Sequence, residues 1–135
     1  MDETTMNEIG TVTGGVRTLL RPEGLVLFLG MTLLYAVWGG SWWVYFILFL
    51  APDLSFAGYL AGPREGAIIY NAAHSYMAPV ALMTAGFAST EPLVLSLAMI
   101  WLAHIGIDRA LGFGLKYFEG FSFTHLGRIG KRTVG

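Results

Sequence analysis

The sequence predicts an all-α membrane protein with four transmembrane helices and both termini in the cytoplasm. Three observations carry that expectation. Mean hydropathy is +0.61, with 55% hydrophobic and 13% charged residues, on the membrane side of ordinary soluble composition. Four apolar runs alternate with short turns containing Gly, Pro or Ser. Finally, the cations segregate to one side of the layout those runs define.

The 135 residues suit one domain. Residues 1–21 are expected as a disordered or interfacial arm, 22–114 as the membrane domain and 115–135 as a polar cytoplasmic tail. The start, MDETTMNEIG, is acidic and polar, not the cationic opening of a secretory signal, so the apolar segments are expected to be retained as anchors. Residues 1–16 show no helical or strand period, and residues 16–20 (VRTLL) are placed at the membrane surface. Pro22 suits the first turn of a helix, where its missing N–H is not needed. Helix 1 is therefore expected over 22–38 (PEGLVLFLGMTLLYAVW), near the short end of what spans a bilayer.

Gly39-Gly40-Ser41 signals a turn. Helix 2 follows over 42–61 (WWVYFILFLAPDLSFAGYLA), with Pro52 expected to kink it and leave the Leu48 carbonyl without its usual donor. The turn at 62–65 leads to helix 3 over 66–88, which holds Pro79. Ser89–Pro92 turns the chain into helix 4, over 93–114. In this layout Arg109 lies inside helix 4, and Arg17, Arg21, Arg64, Lys116, Arg128, Lys131 and Arg132 all fall on one side. The positive-inside rule makes that side cytoplasmic, so an inner-membrane, N-in/C-in protein is expected. Trp38, Trp42 and Trp43 then sit at the opposite interface, where indoles are enriched.

Composition also excludes chemistry. There is no cysteine, so disulfides and thiolate reactions are ruled out, and a net charge of −1 provides no footprint for nucleic acid. The expected partner is the lipid bilayer, with a second copy or another membrane protein as further candidates.

Ionisable groups inside the spans are the functional signal. At a rise of about 1.5 Å per residue, Asp53 and His74 each lie about 12 Å from the inner ends of their helices. His104 and Asp108 lie roughly 15 and 9 Å from the inner end of helix 4 on the same rise. Three helices thus deliver ionisable residues to one layer. His104 and Asp108, at i and i+4, share a face. Gly106, Ala110 and Gly114 form a small-residue stripe on nearly the opposite face, suited to close helix approach. Tyr70, Asn71 and His74 give helix 3 a polar face, and Gly58-x-x-x-Gly62 favours close packing of helix 2.

A charge at this depth costs roughly 2.5–3.5 kcal/mol on insertion scales unless it pairs, binds an ion or meets water. Three readings follow. One is an internal network in which Asp53 or Asp108 neutralises Arg109, making this a structural or interaction protein. The second is a divalent metal site, such as zinc, in a membrane-embedded hydrolase. It has Asp53, His74 and His104 as ligands, Asp108 as base and Arg109 stabilising a developing anion. The third is proton-linked transport of a small ion. His125, in the tail sequence FTHLG, either caps the site or is a solvated loop histidine.

The blocks APDLSFAGYLAGPREGAIIYNAAHSY, WLAHIGIDRALGFGLKY and THLGRIG resemble a small bacterial integral-membrane family catalogued as domain of unknown function 4260. That resemblance implies a helical membrane protein and no assigned chemistry. Pro52-Asp53 and His74-Ser75 are also similar to a pattern of the membrane-bound metal-dependent hydrolase-like family, a likeness that implies metal-assisted hydrolysis. The fuller histidine-rich pattern of that family is not found in this chain.

Overall fold

The structure, a computed structural model, describes residues 14–116 and 123–128. Five α-helices and one 3₁₀ helix account for nearly all of it: α1 (Gly14–Trp38), α2 (Trp42–Phe49), the 3₁₀ helix (Ala51–Leu60), α3 (Pro63–His74), α4 (Met77–Ser89) and α5 (Pro92–Leu111). A two-residue antiparallel pair, β1 (Phe123–Thr124) with β2 (Gly127–Arg128), follows in the tail. Three stretches are long and apolar enough to cross a membrane: Gly15–Trp38, Trp42–Leu60 and Pro92–Leu111.

Helix α5 is central, buried on almost every side between Leu95 and Gly106. Pro92 opens it at N1, and Gly112 closes it at φ 89°, a left-handed C-cap that favours glycine. Helix α1 lies along it at very close range. A Cβ on Gly24 would stand 2.6 Å from the Gly106 carbonyl oxygen, and one on Gly106 2.7 Å from the Phe28 nitrogen. Glycine on both sides is what lets the two backbones approach. This agrees with the small-residue stripe for Gly106 and Ala110; Gly114 lies beyond the helix and packs against His125.

Helix α1 begins eight residues before Pro22, so the proline sits in its interior and not at the expected start. Contact with α5 explains the extension, because Arg21 Nε donates to the Ala110 carbonyl at 2.9 Å. The disorder expected for the first residues falls, up to residue 13, outside the described residues.

Prolines break the middle of the chain. A proline ring clashes with the carbonyl four residues earlier. Pro52 therefore stops α2 at Phe49, and the chain continues as a 3₁₀ helix of ten residues, a full change of helix type where a kink is expected. The expected helix 3 is two helices. Ser75, four residues before Pro79, is extended at φ −89° and ψ 157°, and Pro79 falls in the first turn of α4, where it removes no helical bond. Residues 63–89 thus hold a 12-residue and a 13-residue helix. Helix α3 packs on the 3₁₀ helix, Gly58 meeting Ile69 and Gly66 meeting the Tyr59 ring; α4 packs on α5.

The apolar core between α1, α2 and α5 is built from Tyr35, Tyr45, Leu95, Met99, Ile100 and Ala103. Its phenols are satisfied: Tyr35 donates to the Ser41 carbonyl at 2.6 Å, and the Tyr45 hydroxyl shares a 2.7 Å hydrogen bond with Thr32. Large apolar side chains also cover the outside. Val26, Leu29, Leu33 and Val37 line one exposed stripe of α1, the surface expected to face acyl chains.

Candidate metal centre

Three segments converge on one point. Helix α5 supplies His104 and Asp108 from adjacent turns, on the side away from Gly106. The 3₁₀ helix supplies Asp53 in its first turn, directly after the helix-breaking proline. Helix α3 ends on His74. One ligand atom from each of these four lies within 4.8 Å of all the others.

The two Nε2 atoms face each other at 3.2 Å. His104 Nε2 is 3.2 Å from Asp53 Oδ1 and 3.1 Å from Asp108 Oδ2. His74 Nε2 is 3.6 Å and 3.4 Å from the same two oxygens. A tetrahedral ion bound at about 2.0 Å holds its ligand atoms about 3.3 Å apart. The five separations bracket that value, and the donor set of two imidazoles and two carboxylates suits zinc or a similar divalent ion.

Surrounding contacts orient the rings. His74 Nδ1 lies 2.9 Å from the Tyr70 carbonyl, which can only accept. Nδ1 therefore carries the hydrogen, and the Nε2 lone pair is turned to the centre of the cluster. The Tyr70 ring stacks on the His74 ring with centroids 3.8 Å apart. His104 Nδ1 is buried and has no hydrogen-bond partner.

The cluster is closed on one side and open on another. Both imidazoles are 3% exposed and the Asp108 side chain 16%, whereas the Asp53 side chain is 39% exposed. Access from outside is therefore past Asp53.

Arg109 stands apart from the ligand atoms. Its Nη2 donates to the His74 carbonyl at 3.0 Å, its Nη1 lies 3.3 Å from both ring nitrogens of His125, and its guanidinium packs over the Tyr76 ring. No carboxylate among the described residues forms an ion pair with it. Trp101 Nε1 donates to the Ala73 carbonyl at 2.6 Å. Helix α3 ends with carbonyls that lack helical partners, and these two α5 side chains satisfy them. Trp101 and Arg109 thus hold the break that sets His74 in place.

The tail folds back over this region. Asn71 donates to the Lys116 carbonyl at 2.7 Å and accepts from the Lys116 N–H at 2.6 Å, a reciprocal clamp. Lys116 Nζ sits 4.7 Å above the Tyr70 ring, on the stack that leads to His74. Burial lowers the Lys116 pKa to about 8, with Asp108 opposing the shift. His125 Nδ1 accepts from the Leu115 N–H at 2.8 Å. Burial, then the Arg109 charge, lowers the His125 pKa to about 4, so its ring is neutral near pH 7. His125 is half-buried against Arg109 and not among the four ligand residues.

The structure therefore brings Asp53, His74, His104 and Asp108 together, with Tyr70 and Asn71 behind them, and places Arg109 and His125 one layer away. Sequence reasoning passes over Lys116 and Trp101. Trp101 lies one turn before His104 on α5, a spacing that could have marked it. Nothing in the pattern around Lys116 signals its contact with Tyr70, because that contact depends on the chain reversing after Gly112.

Known proteins add family and no chemistry. The family described as "Domain of unknown function (DUF4260)" matches residues 17–129. Neither curated proteins nor solved structures yield a match.

Proposed function

The chain belongs to the DUF4260 family, a description that names no reaction, and we propose from the site itself that it is a membrane-embedded, metal-dependent hydrolase. The observation that carries the proposal is the five separations that involve an imidazole nitrogen, 3.1 to 3.6 Å, with His74 Nε2 turned inward by its Nδ1 bond to Tyr70. His74, His104 and Asp108 hold the ion, being the three most buried groups. Asp53, at the exposed edge, is the exchangeable ligand or the base that takes a proton from water. A divalent ion there supplies Lewis acidity and makes water nucleophilic at neutral pH. Arg109 and Trp101 keep His74 in position, and the tail keeps bulk water from the buried side.

The topology proposed with it has four crossings with both termini in the cytoplasm of a bacterial inner membrane. Helices α3 and α4 form the third crossing as one broken span. Two things support this. Broken spans persist where protein groups satisfy the freed backbone, as Arg109 and Trp101 do here. The distribution of Lys and Arg supports the orientation.

The competing reading is an internal polar network without a metal. It has Nε2–H on His104 donating to Asp53 or Asp108, from a neutral ring or from an imidazolium that carries hydrogen on both nitrogens. Elemental analysis of protein purified in mild detergent decides between them. One equivalent of metal per chain is expected, falling below a tenth in a folded His104→Ala variant, with hydrolysis of chromogenic ester or phosphodiester probes in mixed micelles lost in parallel. Protein that stays metal-free after incubation with zinc or cobalt overturns the proposal.

A further inference from the structure

A second feature lies apart from the metal-ligand residues and is independent of the proposed reaction. A cavity of about 620 Å³ is lined by Arg17, Thr18, Arg21, Pro22, Leu25 and Ala110. It opens where α1 passes the C-terminus of α5. We propose that this cavity binds the phosphate headgroup of an anionic phospholipid, with Arg17 and Arg21 as its ligands.

Both guanidinium groups reach the same spot. Arg17 Nη2 lies 3.4 Å from the position a Cβ on Gly112 would take, and Arg21 Nε lies 3.9 Å from it. Both side chains line the cavity, and two like charges on one wall make it attractive to an anion. Among the described residues no carboxylate pairs with either arginine. Arg17 Nε is buried without a hydrogen-bond partner. A buried charged donor left unsatisfied is costly, and a phosphate oxygen is the acceptor a guanidinium fork fits best. The α5 carbonyl end already takes one of these donors, through Arg21 Nε to Ala110, and leaves the remaining N–H groups of Arg21 for a ligand.

The remaining lining selects a lipid over a free anion. Leu25 and Pro22 form the apolar wall, and the exposed stripe Val26, Leu29, Leu33 and Val37 runs onward from them along α1. A cationic end joined to an exposed apolar track matches the two halves of a phospholipid. The site also stands at the membrane boundary, because the first apolar span on this helix starts within the same turns.

The test is native mass spectrometry of the full chain released from mixed micelles of phosphatidylglycerol and phosphatidylcholine in equal amounts. One retained phosphatidylglycerol per chain is expected, preferred about tenfold over phosphatidylcholine. An Arg17→Gln/Arg21→Gln double variant should lose the preference, and Arg64→Gln, whose charge lies outside the cavity, should keep it. Thr18→Phe fills the cavity with both arginines intact and should also lower retention, which covers the case of a double variant that fails to fold. Equal retention of the two lipids, or an unchanged preference in both cavity variants, overturns the proposal. So does displacement of the lipid by millimolar inorganic phosphate, which would make the site one for a free anion.

Discussion

The two halves of this molecule solve different problems with the same backbone. On one side, α1 and α5 are long, regular helices pressed together through Gly24 and Gly106. On the other, α2, the 3₁₀ helix, α3 and α4 are short pieces ended by Pro52 and by the break at Ser75. Apart from the one donor that Pro22 lacks, the regular half satisfies its own backbone, and it offers smooth surfaces. The broken half carries carbonyls that must be satisfied from outside, and in exchange it can turn Asp53 and His74 inward at helix ends. The candidate centre draws two ligand residues from each half, so it reports on their docking.

Removing the metal should produce the largest effect, because the ion would be the strongest link between the halves. At a free metal concentration of a thousand times Kd, binding stabilises the folded state by about 4 kcal/mol. Chelation should therefore lower the midpoint of thermal unfolding in detergent, and re-addition should restore it. Hydrogen exchange should rise in the 3₁₀ helix and α3 while the α1–α5 pair stays protected. A chelator that leaves both exchange and midpoint unchanged removes the link.

Gly106→Leu attacks the regular half instead. A Cβ there meets backbone atoms of Gly24 and Phe28 at 2.7 Å, and backbone cannot step aside as a side chain would. The expected loss is about 3 kcal/mol, the upper part of the usual overpacking range. Exchange should now rise along α1. Unchanged stability would mean that the helices do not approach this closely.

These two predictions also mark how much of the architecture is legible in the sequence. The Gly106–Ala110 stripe and the i, i+4 pair His104–Asp108 are readable because an unbroken α-helix converts spacing into direction. Asp53 and His74 are readable only as to depth. Their orientation depends on where the helices stop, and a proline inside a span indicates trouble four residues earlier without saying whether the result is a bend, a 3₁₀ segment or a clean break. Pro52 gives the second of these and Ser75–Pro79 the third. The role of Arg109 follows from that break, since a continuous helix 3 would have had no free His74 carbonyl to offer it.

Arg109→Met tests that dependence at a single residue. The variant keeps much of the side-chain volume and removes the donor to the His74 carbonyl and the contacts with His125 and Tyr76. A hydrogen bond from a charged group contributes about 2 kcal/mol, which is the expected loss of stability. Metal affinity should fall as well, because His74 loses the contact that fixes its backbone. A substitution that weakens stability and leaves metal affinity intact would make Arg109 a strut for the tail alone.

The smallest effect concerns how the tail covers the broken half, and its sign follows from His125. Its pKa in the folded protein is lowered from 6.5 to about 4, first by burial and then by Arg109. Between those two values the unfolded chain binds more protons than the folded one, so stability rises with pH across the interval and is lost as pH falls through it. Well above pH 6.5 both states carry a neutral ring and the contribution is flat. Partial exposure screens the effect to on the order of 1 kcal/mol. Acidifying from pH 6.5 towards 4 should therefore loosen the tail, visible as faster exchange at the Leu115 amide, which His125 Nδ1 accepts. In His125→Asn the side chain no longer titrates, so this amide should lose its dependence on pH beyond the intrinsic exchange rate. Persistence of the wild-type profile in that variant would assign the transition to another group facing the tail.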